Sequence, residues 1–109
     1  MSFEMERAES PMEAHTDELL PLLRRHQDEW RERYQLRRIG LFGSVARGEA
    51  TEDSDVDIWV ELDPLLPYAT VHLKRELETL MRRRVDLVRL RDRMNPDLRQ
   101  TILQEGISA

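Results

Sequence analysis

The chain has 109 residues, 36% charged and 39% apolar, with a formal net charge of −5 and no cysteine: one domain's worth of sequence, with a single core and no disulfide, thiolate-metal or Cys-nucleophile chemistry. No apolar run approaches the ~20 residues of a membrane span and no signal-peptide pattern precedes the first charges, so a cytoplasmic protein without a membrane partner is expected. The acidic balance argues against direct nucleic-acid binding by phosphate neutralisation.

Residues 1–15 hold no apolar period and read as a flexible tail, leaving 16–109 as a single domain. Leu19, Leu23, His26, Trp30 and Tyr34 then recur at helical spacing. Pro21 lacks an N–H and suits a first turn better than an interior, so a helix start near Pro21 is expected. His26 reads as a packed or boundary residue, since no second His or carboxylate pairs with it. Ile39-Gly40-Leu41-Phe42 is a short buried strand that Gly43-Ser44 ends, and Val45-Ala46-Arg47 fits a helical turn. Gly48–Ser54 is a polar loop. From Asp55 to Leu62 the chain alternates with period two: Val56, Ile58, Val60 and Leu62 face the core, while Asp55, Asp57, Trp59 and Glu61 face the other way. Pro64 and Pro67 interrupt the chain. Leu73, Leu77, Leu80 and Met81 mark a helix over 69–83, whose end carries Arg82, Arg83 and Arg84, as the negative end of a helix dipole favours. Val85–Leu90 is a third strand. Asn95-Pro96 starts a last helix and Gly106 stops it.

The chemistry gathers around the strands. Residues 37–62 carry six acids against three bases, although Asp and Glu are depleted from strands. Asp55 and Asp57 project to the same side. Two such carboxylates repel unless water or a cation screens them, and a solvated strand face continued by Trp59 and Glu61 accounts for them equally well. Asp86 adds a constraint. A helix joins the second and third strands, which makes them parallel and, if adjacent, brings Asp57 and Asp86 level. The short link between the first two strands favours an antiparallel pair, placing Gly43-Ser44 at the same end. The simpler alternative for Asp86 is a strand-edge acid paired with an Arg. Gly43 lets backbone approach a ligand, and the free N–H groups and hydroxyl of Ser44 suit a phosphate, or Ser44 is merely a helix cap. No GK[ST] follows, so this is no P-loop. Arg47 either steadies a phosphate or pairs with the acidic loop. Three acids beside a Gly-Ser turn are most economically a phosphate-and-metal site, with oxygen ligands of the kind Mg²⁺ takes.

Gly43-Ser44-Val45-Ala46-Arg47-Gly48, then Ser54-Asp55-Val56-Asp57, then Val85-Asp86-Leu87-Val88 resemble the minimal nucleotidyltransferases of the DNA polymerase β superfamily, over about residues 20–106. The resemblance implies an α+β fold, a small mixed β-sheet with helices packed on it. It implies two Mg²⁺ ions held by Asp55, Asp57 and Asp86, with ATP as nucleotide donor and pyrophosphate as leaving group. Asp86 would serve the nucleophile side and take the proton. Gly43 and Ser44 would cradle the phosphates, with Arg47 a second candidate. Trp59 stands where aliphatic residues are more usual. Only about twenty residues follow the third strand, so the acceptor pocket is expected on another protein. The small members resemble antitoxins that transfer AMP to a tyrosine of a HEPN-domain ribonuclease toxin, in a hetero-complex. The alternatives are a non-catalytic antitoxin or nucleotide-binding module that neutralises a partner by contact, and a sugar or drug nucleotidyltransferase. Two features stay outside this scheme. Arg82–Arg84 with Arg89, Arg91 and Arg93 are a solvated surface or meet a partner or the triphosphate. Leu65, Leu66 and Tyr68 form an apolar loop that could dock a partner.

Overall fold

A computed structural model describes residues 15–109, so the expected tail lies, apart from His15, outside the described residues. The elements run α1 (Thr16–Tyr34), β1 (Leu36–Leu41), α2 (Gly43–Ala46), β2 (Val56–Leu62), α3 (Ala69–Met81), β3 (Val85–Arg89), α4 (Pro96–Glu105) and β4 (Ile107–Ser108). The four strands form one sheet in the order β3-β2-β1-β4. β1 pairs antiparallel with β2 and β4, whereas β2 and β3 run parallel across the α3 crossover. The sheet is mixed and the class α+β, as expected. No helix among the described residues is long and apolar enough to cross a membrane.

Alternation along β2 splits the core in two. Val56, Ile58 and Val60, all fully buried, meet Leu19, Leu23 and Trp30 of α1 and Leu73 and Leu77 of α3. The opposite face holds a smaller cluster of Phe42, Trp59, Leu90 and Ile102, with α4 as its cover. Here the structure decides against one of the two readings, in which Trp59 continues a solvated face: it is 4% exposed. Its indole lies across Gly40, where an added Cβ would stand 2.6 Å from Nε1. Gly40 is directly opposite in the ladder, so the missing side chain makes room for the large ring.

Several boundaries differ from expectation, each for a local reason. α1 begins at Thr16 and keeps Pro21 inside it. Starting at Pro21 would leave Leu19 outside the helix. Burying Leu19 contributes about 1.5–3 kcal/mol, offsetting most of the roughly 3 kcal/mol that an interior Pro costs. β1 starts at Leu36 because the ladder continues to Leu36↔Leu62 past an irregularity before Arg38; Arg37 and Arg38 hide it from hydropathy by pairing outward with Asp63 and Glu61. α3 stops at Met81 because Arg82 turns into the left-handed region at φ 52 and its N–H bonds the Glu78 carbonyl at 2.8 Å. Asn95 caps α4 as expected, its Oδ1 accepting from the N–H groups of Asp97 (2.9 Å) and Leu98 (3.1 Å). After Gly106 the chain turns back as β4 along the edge of β1, a strand too short to leave a periodic signal.

Candidate active site

Asp57 on β2 stands directly opposite Asp86 on β3 in the parallel ladder. Asp57 is half-buried and Asp86 exposed. Burial, then the Asp86 charge and more weakly that of Asp55, push the Asp57 carboxyl above its ordinary value; the Ser44 backbone N–H, donating to it, pulls the other way. The site thus holds one carboxylate under electrostatic pressure, with an amide donor already aimed at it.

α2 supplies the other wall. Phe42 is extended and its N–H bonds the Asp57 carbonyl at 3.0 Å, which pins the start of α2 to β2. Gly43 then takes φ +66, and a Cβ there would lie 2.2 Å from Asp57 Oδ2. Only glycine allows both the turn and the approach.

Asp55 lies one residue before β2 and pairs with Arg84, Nε to Oδ1 at 3.1 Å. Both side chains are well exposed, so water screens this pair and it opens at little cost. Arg47 is directed elsewhere: its guanidinium bonds Glu49 at 3.1 Å and Glu105 at 3.2 Å. The Glu49 hydrogen bond holds that group's pKa above its ordinary value. Of the six candidate residues, the fold brings Gly43, Ser44, Asp57 and Asp86 together, sets Asp55 beside them against Arg84, and ties Arg47 to the acidic loop and α4.

Among the described residues no group of three His, Cys, Asp or Glu side chains makes a ready metal cage. The donor set nevertheless suits a divalent cation. Mg²⁺ commonly takes one or two carboxylates and completes its shell with water and substrate phosphates. Asp57 and Asp86 offer such a pair of hard oxygen donors, and a cation between them would relieve their repulsion.

One residue of this region was read from the sequence only as part of the Arg82–Arg84 run. Arg83 Nη2 donates to the carbonyls of Thr51 (2.8 Å), Glu52 (3.2 Å) and Ser54 (2.6 Å). It ties the loop before Asp55 to the segment that leads into Asp86. Within a run of three arginines no sequence signal distinguishes it. Arg83→Met is expected to raise amide exchange over residues 51–55 about tenfold or more, with β2 core amides unchanged. Hydrogen-exchange mass spectrometry checks this, and unchanged exchange in the loop would show that the clamp carries no weight.

Residues 23–109 match the family described as nucleotidyltransferase domain. Over 94 residues the chain is 44% identical to the protein adenylyltransferase MntA of Thermococcus cleftensis, covering 84% of this chain and 92% of that one. It also resembles a chain in a toxin–antitoxin structure with AMP-PNP, at 29% identity and TM-score 0.63, covering 77% of this chain and 69% of that one. A complex of tri-AMPylated Shewanella oneidensis HEPN toxin with MNT antitoxin matches at 31% identity and TM-score 0.51, covering 67% of this chain and 55% of the other.

Proposed function

The chain belongs to the nucleotidyltransferase domain family and is a nucleotidyltransferase, and from that premise we propose that it is an antitoxin transferring AMP from ATP to a tyrosine of a HEPN-domain toxin, with Mg²⁺ and release of pyrophosphate. The observation that carries this reading is the in-register pair Asp57 and Asp86 beside the Gly43-Ser44 turn. The nucleotide class, the acceptor and the toxin partner rest on the likeness to MntA and to the AMPylated HEPN complex.

The roles follow from position. Asp57 and Asp86 would hold the divalent cations, and Asp55 would join them once its exposed pair with Arg84 opens. When bound, divalent cations would supply neutralisation of phosphate charge and a more nucleophilic acceptor hydroxyl. Gly43 and Ser44 would cradle the β and γ phosphates at the start of the helical turn, with the Ser44 hydroxyl as donor because its N–H is already given to Asp57. Arg47 reaches a phosphate only by leaving Glu49 and Glu105, which makes it the most peripheral of the set. The tyrosine oxygen bonds the α-phosphorus as the bond to the β-phosphate oxygen breaks. Pyrophosphate leaves with that electron pair, and exposed Asp86 takes the hydroxyl proton before passing it to water.

Incubating the protein with its HEPN partner, ATP and Mg²⁺ and recording intact masses tests the reading. Increments of one AMP on the partner are expected, absent with Asp57→Ala and absent when the acceptor tyrosine is Phe. Protection that persists in Asp57→Ala without any increment would favour neutralisation by contact. Increments that survive Asp57→Ala would overturn the assignment of the carboxylates.

A further inference from the structure

At the opposite end of the sheet, where β2 and β3 finish and β1 begins, an open cleft of about 660 Å³ is lined mainly by arginines and carboxylates. The charges there do not cancel. Glu61 pairs with Arg38, and Asp63 with Arg37 at 3.5 Å. Asp92 pairs with Arg99 at 3.4 Å. Arg89 and Arg91, both lining the same cleft, have no carboxylate partner among the described residues. Arg91 spends its guanidinium on two backbone carbonyls, of Arg93 (3.0 Å) and Arg89 (3.2 Å), which fixes its position and leaves its charge uncompensated. Arg89 has no side-chain hydrogen bond or ion pair among the described residues, and its Nε is out of contact with solvent.

A guanidinium with no counter-charge on the wall of an open cleft suits an anionic partner. We propose that this cleft is a second anion site, for the phosphate group of a small phosphorylated molecule, with Arg89 as its central ligand. Two uncompensated guanidinium groups match a dianion, and the Arg fork matches phosphate oxygens in geometry. A cleft of this volume falls in the range of small-molecule sites. Leu62 and Leu90 give it an apolar lining beside the charged rim. The candidate active site is distinct in place and in chemistry. Asp57 and Glu61 lie four residues apart on one strand, roughly 13 Å, and the acidic end repels phosphate unless a cation is present.

That difference makes the proposal separable from the AMP-transfer reading. With EDTA present, inorganic pyrophosphate titrated into ¹⁵N-labelled protein is expected to shift the amides of residues 37–38, 61–63 and 89–92 and to saturate, leaving 43–47 and 57 unmoved. Arg89→Gln is expected to weaken binding at least tenfold, and Arg89→Lys to recover part of it. ADP as a second titrant identifies the source: tighter binding than pyrophosphate points to a nucleotide, weaker binding to a free polyphosphate. No saturable shift in the wild type would overturn the site. So would shifts reproduced by sodium chloride at matched ionic strength, or an affinity that Arg89→Gln leaves intact in a variant with the wild-type spectrum elsewhere.

Discussion

Asp57→Asn is expected to abolish AMP transfer, by about a thousandfold or more if cation binding fails, and at the same time to raise the melting temperature at pH 7. The two effects have one origin. The folded state holds the Asp57 carboxyl above its ordinary 3.8, chiefly through burial and the facing Asp86. In the window between 3.8 and that raised value the folded chain binds more protons than the unfolded one. Stability therefore falls as pH rises through the window, and the deficit persists at pH 7. Asn removes the charge and can still accept from the Ser44 N–H. Since Asp86 is exposed and water screens the repulsion, the gain is expected to be about 2–5 °C, shrinking as the pH drops through that window. Mg²⁺ should raise the wild-type melting temperature and leave the variant nearly unmoved. Calorimetry at pH 7 and pH 4, with and without MgCl₂, reads all of this. A variant less stable than wild type at pH 7 would contradict the repulsion.

The second large effect is expected at Gly43. Gly43→Ala should lower transfer about a hundredfold or more and destabilise the fold by about 1–2 kcal/mol. The stability cost comes from a left-handed backbone at φ +66, and the activity loss from a methyl group 2.2 Å from Asp57 Oδ2. Gly48→Ala separates these causes. Gly48 also has a positive φ, +73, but nothing within 4 Å of its Cβ position. It should cost similar stability while leaving transfer within about twofold of wild type. Equal activity in both variants would mean that the contact with Asp57 is irrelevant. Steady-state transfer rates and urea midpoints for the pair supply the comparison.

How much of this could be read from the sequence depends on how local each feature is. The parallel pairing that brings Asp57 level with Asp86 follows from two strands and one helix between them, through the right-handed crossover rule. The Gly43 turn follows from composition. Trp59 could not be placed by alternation alone. Period two puts it on the same side as the acids, and only the return of α4, residues 96–105, makes that side a second core. The arginines were equally opaque. Arg47, Arg83 and Arg89 are similar in sequence terms, yet one pairs with carboxylates, one clamps three carbonyls and one is left over. Their reach lets tertiary neighbours decide. β4 was missed because two residues carry no period.

In the proposed mechanism, the alignment of Asp57 with Asp86 ties catalysis to a choice made during folding. Were β3 to settle one residue out of step against β2, every side chain on it would change faces. Asp86 would then turn toward the buried side that now receives Val85, and the carboxylate pair would be lost together with the packing. Slipped molecules cannot keep one property without the other. A transfer assay on a population of refolded or redesigned chains therefore counts the fraction with the correct strand pairing. A loop or helix between the two strands can be shortened, extended or replaced, and turnover by itself reports whether the ladder has closed in step.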